Sequence, residues 1–169
     1  MAQLENRNAM AQLPRTPDLG AQREAMKKLD FLVGRWMGEA RMSRVGEILE
    51  LVQTEEAAYK LDGLILVIEG VGRARSTEDL VLQAFGIISY NDETQTYHMR
   101  AFNDGRFLET DVKLLEEARG MTWGFVLGEI KTKSVMRIAE NGDWTEVHEI
   151  VIGADPPRKL MEVIVRRQT

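Results

Sequence analysis

The chain has no cysteine, which excludes disulfides and thiolate metal sites. Its two histidines, His98 and His148, are too few for a zinc site of the usual nitrogen-rich kind. No stretch approaches the roughly 18 apolar residues of a membrane-spanning helix. The opening segment carries acidic residues and has no apolar run of signal-peptide length, so a cytoplasmic address is the default expectation. Basic charge is in the minority as well. With 22 basic and 27 acidic side chains the formal charge is −5, which argues against nucleic acid or an anionic membrane as the main partner. The short pairs Lys27-Lys28 and Arg166-Arg167 read as solvated ends of a helix and a strand.

What is present fits one globular domain. At 169 residues and 44% hydrophobic content, the chain can build a single core and is too apolar to be disordered. Residues 1–17 read as a polar tail, and residues 18–169 as the domain. Thr16 or Asp18 can cap a helix over 18–33, in which Leu19, Met26, Leu29 and Val33 keep helical spacing and Gly34 is a plausible stop.

After Gly34 the period changes to that of strands. Apolar, alternating segments follow one another with connections of a few residues, and Asn103-Asp104-Gly105 and Asn141-Gly142 mark tight hairpins. About ten strands result, each of ordinary length. Short connections force antiparallel pairing between sequential neighbours. A meander of this size exposes two edges unless it closes. The expected fold is therefore all-β, a ten-stranded antiparallel up-and-down barrel of the lipocalin-like sort with one N-terminal helix plugging an end. A two-sheet sandwich is the structural rival.

A barrel of this strand number is wider than its side chains fill, so a ligand cavity is expected inside. The residues expected to line it are Phe85, His98, Arg100, Phe102, Trp123, Phe125, Met136 and His148. Phe and Trp would supply apolar area, while His98, Arg100 and His148 would orient a polar head. Met121, Trp123, Phe125 and Leu127 read as one buried side of a continuous strand. Gly70, Gly72, Gly86, Gly124 and Gly128 read as strand bends, with close approach to a ligand as the alternative.

The stretch LDFLVGRWMGEA, residues 29–40, resembles the opening of the calycin grouping of lipocalins, fatty-acid-binding proteins and nitrobindins, marked by Gly34-Arg35-Trp36. With Gly38-Glu39 it is similar to nitrobindins and to the bacterial domain-of-unknown-function family 1579. LDGLILVIEGVGRA at 61–74, FGIISYNDETQTYHMRAF at 85–102 and MEVIVRR at 161–167 resemble the latter family too. The resemblance implies that Trp36 lies across the closed end of the barrel beside Gly34, with Arg167 or Arg166 packed over it. Nitrobindins hold haem through a histidine on the last strand. Here that strand, KLMEVIVRR, has none, and Lys159 or Leu160 takes the position. The departure argues against haem, and no cofactor or metal is expected.

The leading functional expectation is binding of a small hydrophobic or amphipathic molecule inside the barrel. An acid–base enzyme is the alternative, with His98 or His148 acting alongside Glu69, Glu146 or Arg100. A third class is a barrel that only forms a homodimer or docks on another protein.

Overall fold

A computed structural model describes residues 15–44, 46–117 and 119–169. The polar tail expected over residues 1–17 lies outside them up to residue 14. Residues 15–18 are held in place: Arg15 pairs with Asp92 at 2.7 Å, and the Asp18 backbone N–H donates to the same carboxylate. Asp18 is the cap of helix α1 (Leu19–Met26), its side chain accepting from the Ala21 N–H at 2.9 Å. The helix is shorter than the 18–33 expected, because the chain tightens into a 3₁₀ segment at Lys27–Leu32. That tightening turns Leu29 and Leu32 into the core together with Met26, while Leu19 stays exposed.

Eleven strands follow: β1 Gly34–Arg44, β2 Glu47–Lys60, β3 Ile65–Ala74, β4 Leu80–Asn91, β5 Thr96–Asn103, β6 Arg106–Leu114, β7 Gly120–Trp123, β8 Val126–Leu127, β9 Ile130–Ile138, β10 Trp144–Ile152 and β11 Arg158–Arg167. All pairings are antiparallel. Ten strands close into a barrel through β9–β10, β10–β11 and β11–β1, and β8 lies against β9 outside that closure.

The extra strand arises because the continuous strand expected over 120–129 is broken. At Gly124 the backbone runs so close to Thr132 that an added Cβ would meet its carbonyl oxygen at 2.2 Å. The Thr110 hydroxyl donates to the Gly124 carbonyl, and the Phe125 N–H donates to the Thr132 hydroxyl. Leu127 consequently leaves the buried side and is exposed. Between β5 and β6, Asp104 and Gly105 both take positive φ, as a two-residue hairpin turn that follows strand twist requires.

The helix and 3₁₀ segment close one end of the barrel. Tyr97 Oη donates to the Ala25 carbonyl at 2.7 Å, Tyr59 Oη donates to that of Met26, and Trp36 Nε1 donates to that of Leu32 at 2.8 Å. Arg167 lies over the Trp36 ring at 4.1 Å and donates to the Phe31 and Val33 carbonyls. Gly34, at φ +132°, leaves the space that this guanidinium fills, since an added Cβ would stand 2.5 Å from its Nη1.

Candidate functional site

Alternation sends Leu51, Gln53, Glu55 and Ala57 of β2 inward, and Leu66, Gly70 and Gly72 of β3 with them. Burial along these inward faces is graded. Trp36, Leu66, Ile88, Met121, Met136, Trp144 and Val165 are buried at the filled end. Glu55, Thr110, Trp123, Thr132 and His148 also face inward yet keep accessible surface, so solvent reaches the barrel beyond the filled end.

A chain of polar side chains runs through that less filled region. Trp144 Nε1 donates to Glu146 Oε2 at 3.0 Å, and Glu146 Oε1 sits 2.8 Å from His148 Nε2. His148 Nδ1 is 2.8 Å from Ser134 Oγ. A neutral His148 protonated on Nε2 donates to Glu146 and accepts the Ser134 hydroxyl, so both ring nitrogens are satisfied. Trp123 meets the His148 ring edge-on, with centroids 6.1 Å apart.

On β2, separated from β10 by β11 and β1, Gln53 Nε2 donates to Glu55 Oε1 at 2.7 Å. Burial, and next the nearby Glu146 carboxylate, push the Glu55 carboxyl up to about 8, against the opposing Gln53 hydrogen bond. Its protonated form therefore dominates at neutral pH. Gln53 is 1% exposed, and its Oε1 is the one buried side-chain polar atom without a partner among the described residues. That oxygen lies over Gly72, where an added Cβ would meet it at 2.7 Å. Turning the amide over would leave its nitrogen unpartnered in the same place.

At Gly72 the expected bend is present, since the β3–β4 register shifts between Gly72 and Arg73, and Gly70 and Gly72 have a second role besides. They pair with Glu55 and Gln53 across the β2–β3 ladder and leave the volume those side chains occupy.

Of the eight residues expected to line a cavity, Met136 and His148 point inward, and Trp123 and Phe125 pack partly buried against the core. The other four do not line the interior. Phe85, His98, Arg100 and Phe102 stand on the outer face, because Tyr97, Met99 and Ala101 take the inward positions of β5. His98 Nδ1 bonds Asp111 at 2.8 Å and its Nε2 lies 3.1 Å from the Thr96 hydroxyl, all on the outside. Arg100 pairs with exposed Glu109, and Glu69 is exposed. Phe102, 50% exposed, packs at a tilt against Phe107 with centroids 5.3 Å apart. With Phe85 it borders a shallow outer groove of about 290 Å³.

Sequence reading missed Gln53, Glu55 and Ser134. Charged and amide side chains on strands are usually solvated, and the signal for Gln53 and Glu55 lay in the paired glycines opposite. No group of three or more His, Asp or Glu side chains able to hold a metal ion occurs among the described residues. None of the described helices is long and apolar enough to cross a membrane.

No protein-family profile and no curated protein matches the chain. Among solved structures it is similar to the crystal structure of Rv2717c from M. tuberculosis, with a TM-score of 0.68 at 12% identity, over 86% of this chain and 98% of that one. At that identity the likeness speaks for the barrel fold alone.

Proposed function

We propose that the protein binds a small, largely apolar molecule with a polar head in the accessible half of the barrel interior. The observation that carries this reading is Gln53: a buried amide with an unpartnered oxygen, beside inward side chains that are not fully packed. A polar atom left without a partner in the interior costs about 1–3 kcal/mol, and a ligand head group that meets it recovers this. Trp123 and the apolar side chains around it supply contact area for the body of the molecule. The reading assigns no metal or haem, and it places the calycin resemblance at the level of shared barrel architecture. The uncharged probe N-phenyl-1-naphthylamine should quench tryptophan fluorescence with micromolar affinity. Trp123→Ala should weaken that affinity at least tenfold while shifting stability less. A protein that purifies with no extra native mass and leaves the probe unbound would refute the proposal.

A second reading rests on the His148–Glu146 contact at 2.8 Å. An imidazole held by an inward carboxylate, with a neutral acid facing the pair, is a workable acid–base arrangement. It would act on the same bound molecule, so binding comes first under either reading.

A further inference from the structure

The interior has acids and no cation to balance them. Glu55 and Glu146 face each other across it, with His148 beside Glu146. Every lysine and arginine of the eleven strands is exposed among the described residues. Arg44, Arg106 and Arg158 sit at strand ends, and Arg167 is engaged at the filled end by Trp36 and two carbonyls. Gln53 Oε1 has no donor, and once Glu55 gives up its proton both carboxylates have lone pairs to spare. An aromatic wall, Trp123, stands beside His148.

We infer that the interior selects an organic cation, an apolar primary amine whose ammonium group lies between Glu55 and Glu146 and donates to Gln53 Oε1. This inference rests on the binding reading above and names the ligand class. An ammonium brings three donors to a site of acceptors and opposes the mutual repulsion of two carboxylates. A fatty-acid-like anion would instead add a second negative charge beside Glu146, in a region where no described arginine or lysine is buried to receive it.

The neighbours of Glu55 leave little else to set its protonation. From β1 and β3, the strands paired with its own, Trp36, Gly38, Gly70 and Gly72 face it, and none titrates. Across the interior the titratable group acting on it is Glu146, which His148 contacts in turn. In the free protein Glu55 carries its proton at neutral pH, and an ammonium ion takes the place of that charge. Binding therefore releases about one proton per amine, and the net charge of the cluster stays unchanged.

The test compares n-octylamine, 1-octanol and octanoate by titration calorimetry at pH 7, in two buffers of different ionisation enthalpy. We expect octylamine to bind at least tenfold more tightly than octanol, octanoate to bind most weakly, and about one proton to be released with the amine. Glu55→Gln, which keeps the shape of the side chain, should remove the proton release. It should also reduce amine affinity at least tenfold and bring the octylamine-to-octanol affinity ratio toward one. Equal binding of all three, tighter octanoate, or an amine preference that survives Glu55→Gln would overturn the ligand class and leave the binding reading standing. Failure of all three ligands and of the naphthylamine probe would overturn both.

Discussion

Replacing Glu55 by glutamine isolates the energetic consequence of a carboxyl group held inside a barrel. Its folded-state value, about 8, stands above the ordinary 4.5. Between those limits the folded protein holds a proton that the unfolded chain gives up. Stability contributed by this group is therefore complete below pH 4.5, declines as pH rises through the window, and is lost above pH 8. At 1.36 kcal/mol per pH unit the full effect is bounded at about 5 kcal/mol. Water reaching the partly accessible carboxyl screens it, so we expect roughly 2 kcal/mol of that bound to be realised. Urea unfolding of both proteins at intervals from pH 5 to 9 measures it, because surface carboxylates common to both cancel in the difference. The Glu55→Gln variant should gain about 2 kcal/mol relative to the parent across that range. Parallel stability profiles would mean that Glu55 titrates as a solvated acid, and the account of the interior would fail.

Three further outcomes follow from the geometry. Arg167→Ala should lower stability by about 2 kcal/mol in thermal unfolding, by removing the contact over Trp36 and the donors to two carbonyls; Arg167→Lys should recover little, since the planar fork is what spans them. Gly70→Ala places a methyl 2.8 Å from the Glu55 carboxylate and should destabilise by about 1–3 kcal/mol, and in a Glu55→Ala background most of that penalty should vanish. Phe102→Ser on the outer face should leave probe affinity unchanged in the fluorescence titration, whereas an affinity loss matching that of Trp123→Ala would place the ligand in the outer groove.

Much of the barrel was legible in sequence because its signals are local. The segment EILELVQTEEAAYK alternates over the whole of β2, and Asp104-Gly105 is a turn that few other residue pairs adopt without strain. Closure followed from short connections. The interior was harder to read, because a strand offers two faces and packing alone decides between them. On β5 both faces carry an aromatic residue, and Phe102 suggested the wrong one. Tyr97 faces inward because its hydroxyl finds the Ala25 carbonyl, a long-range contact invisible in the local pattern. Glu55 and Gln53 look like solvated strand residues until the β2–β3 hairpin register sets them opposite Gly70 and Gly72. A pair of glycines facing two polar side chains across a ladder was the available signal, and reading it required the register first.

The Arg167 clasp also bears on how the molecule is made. The guanidinium reaches the Phe31 carbonyl across 136 positions of sequence, and β1 finds its second partner only in β11. Hairpins from β2 to β6 can zip as they emerge during synthesis, but β1 keeps an open edge until the last strand is out. Contacts this distant slow folding and prolong the exposure of unpaired edges. The final ring-closing step is therefore where this protein is most vulnerable to aggregation, and the arginine that ends β11 acts as the latch completing it.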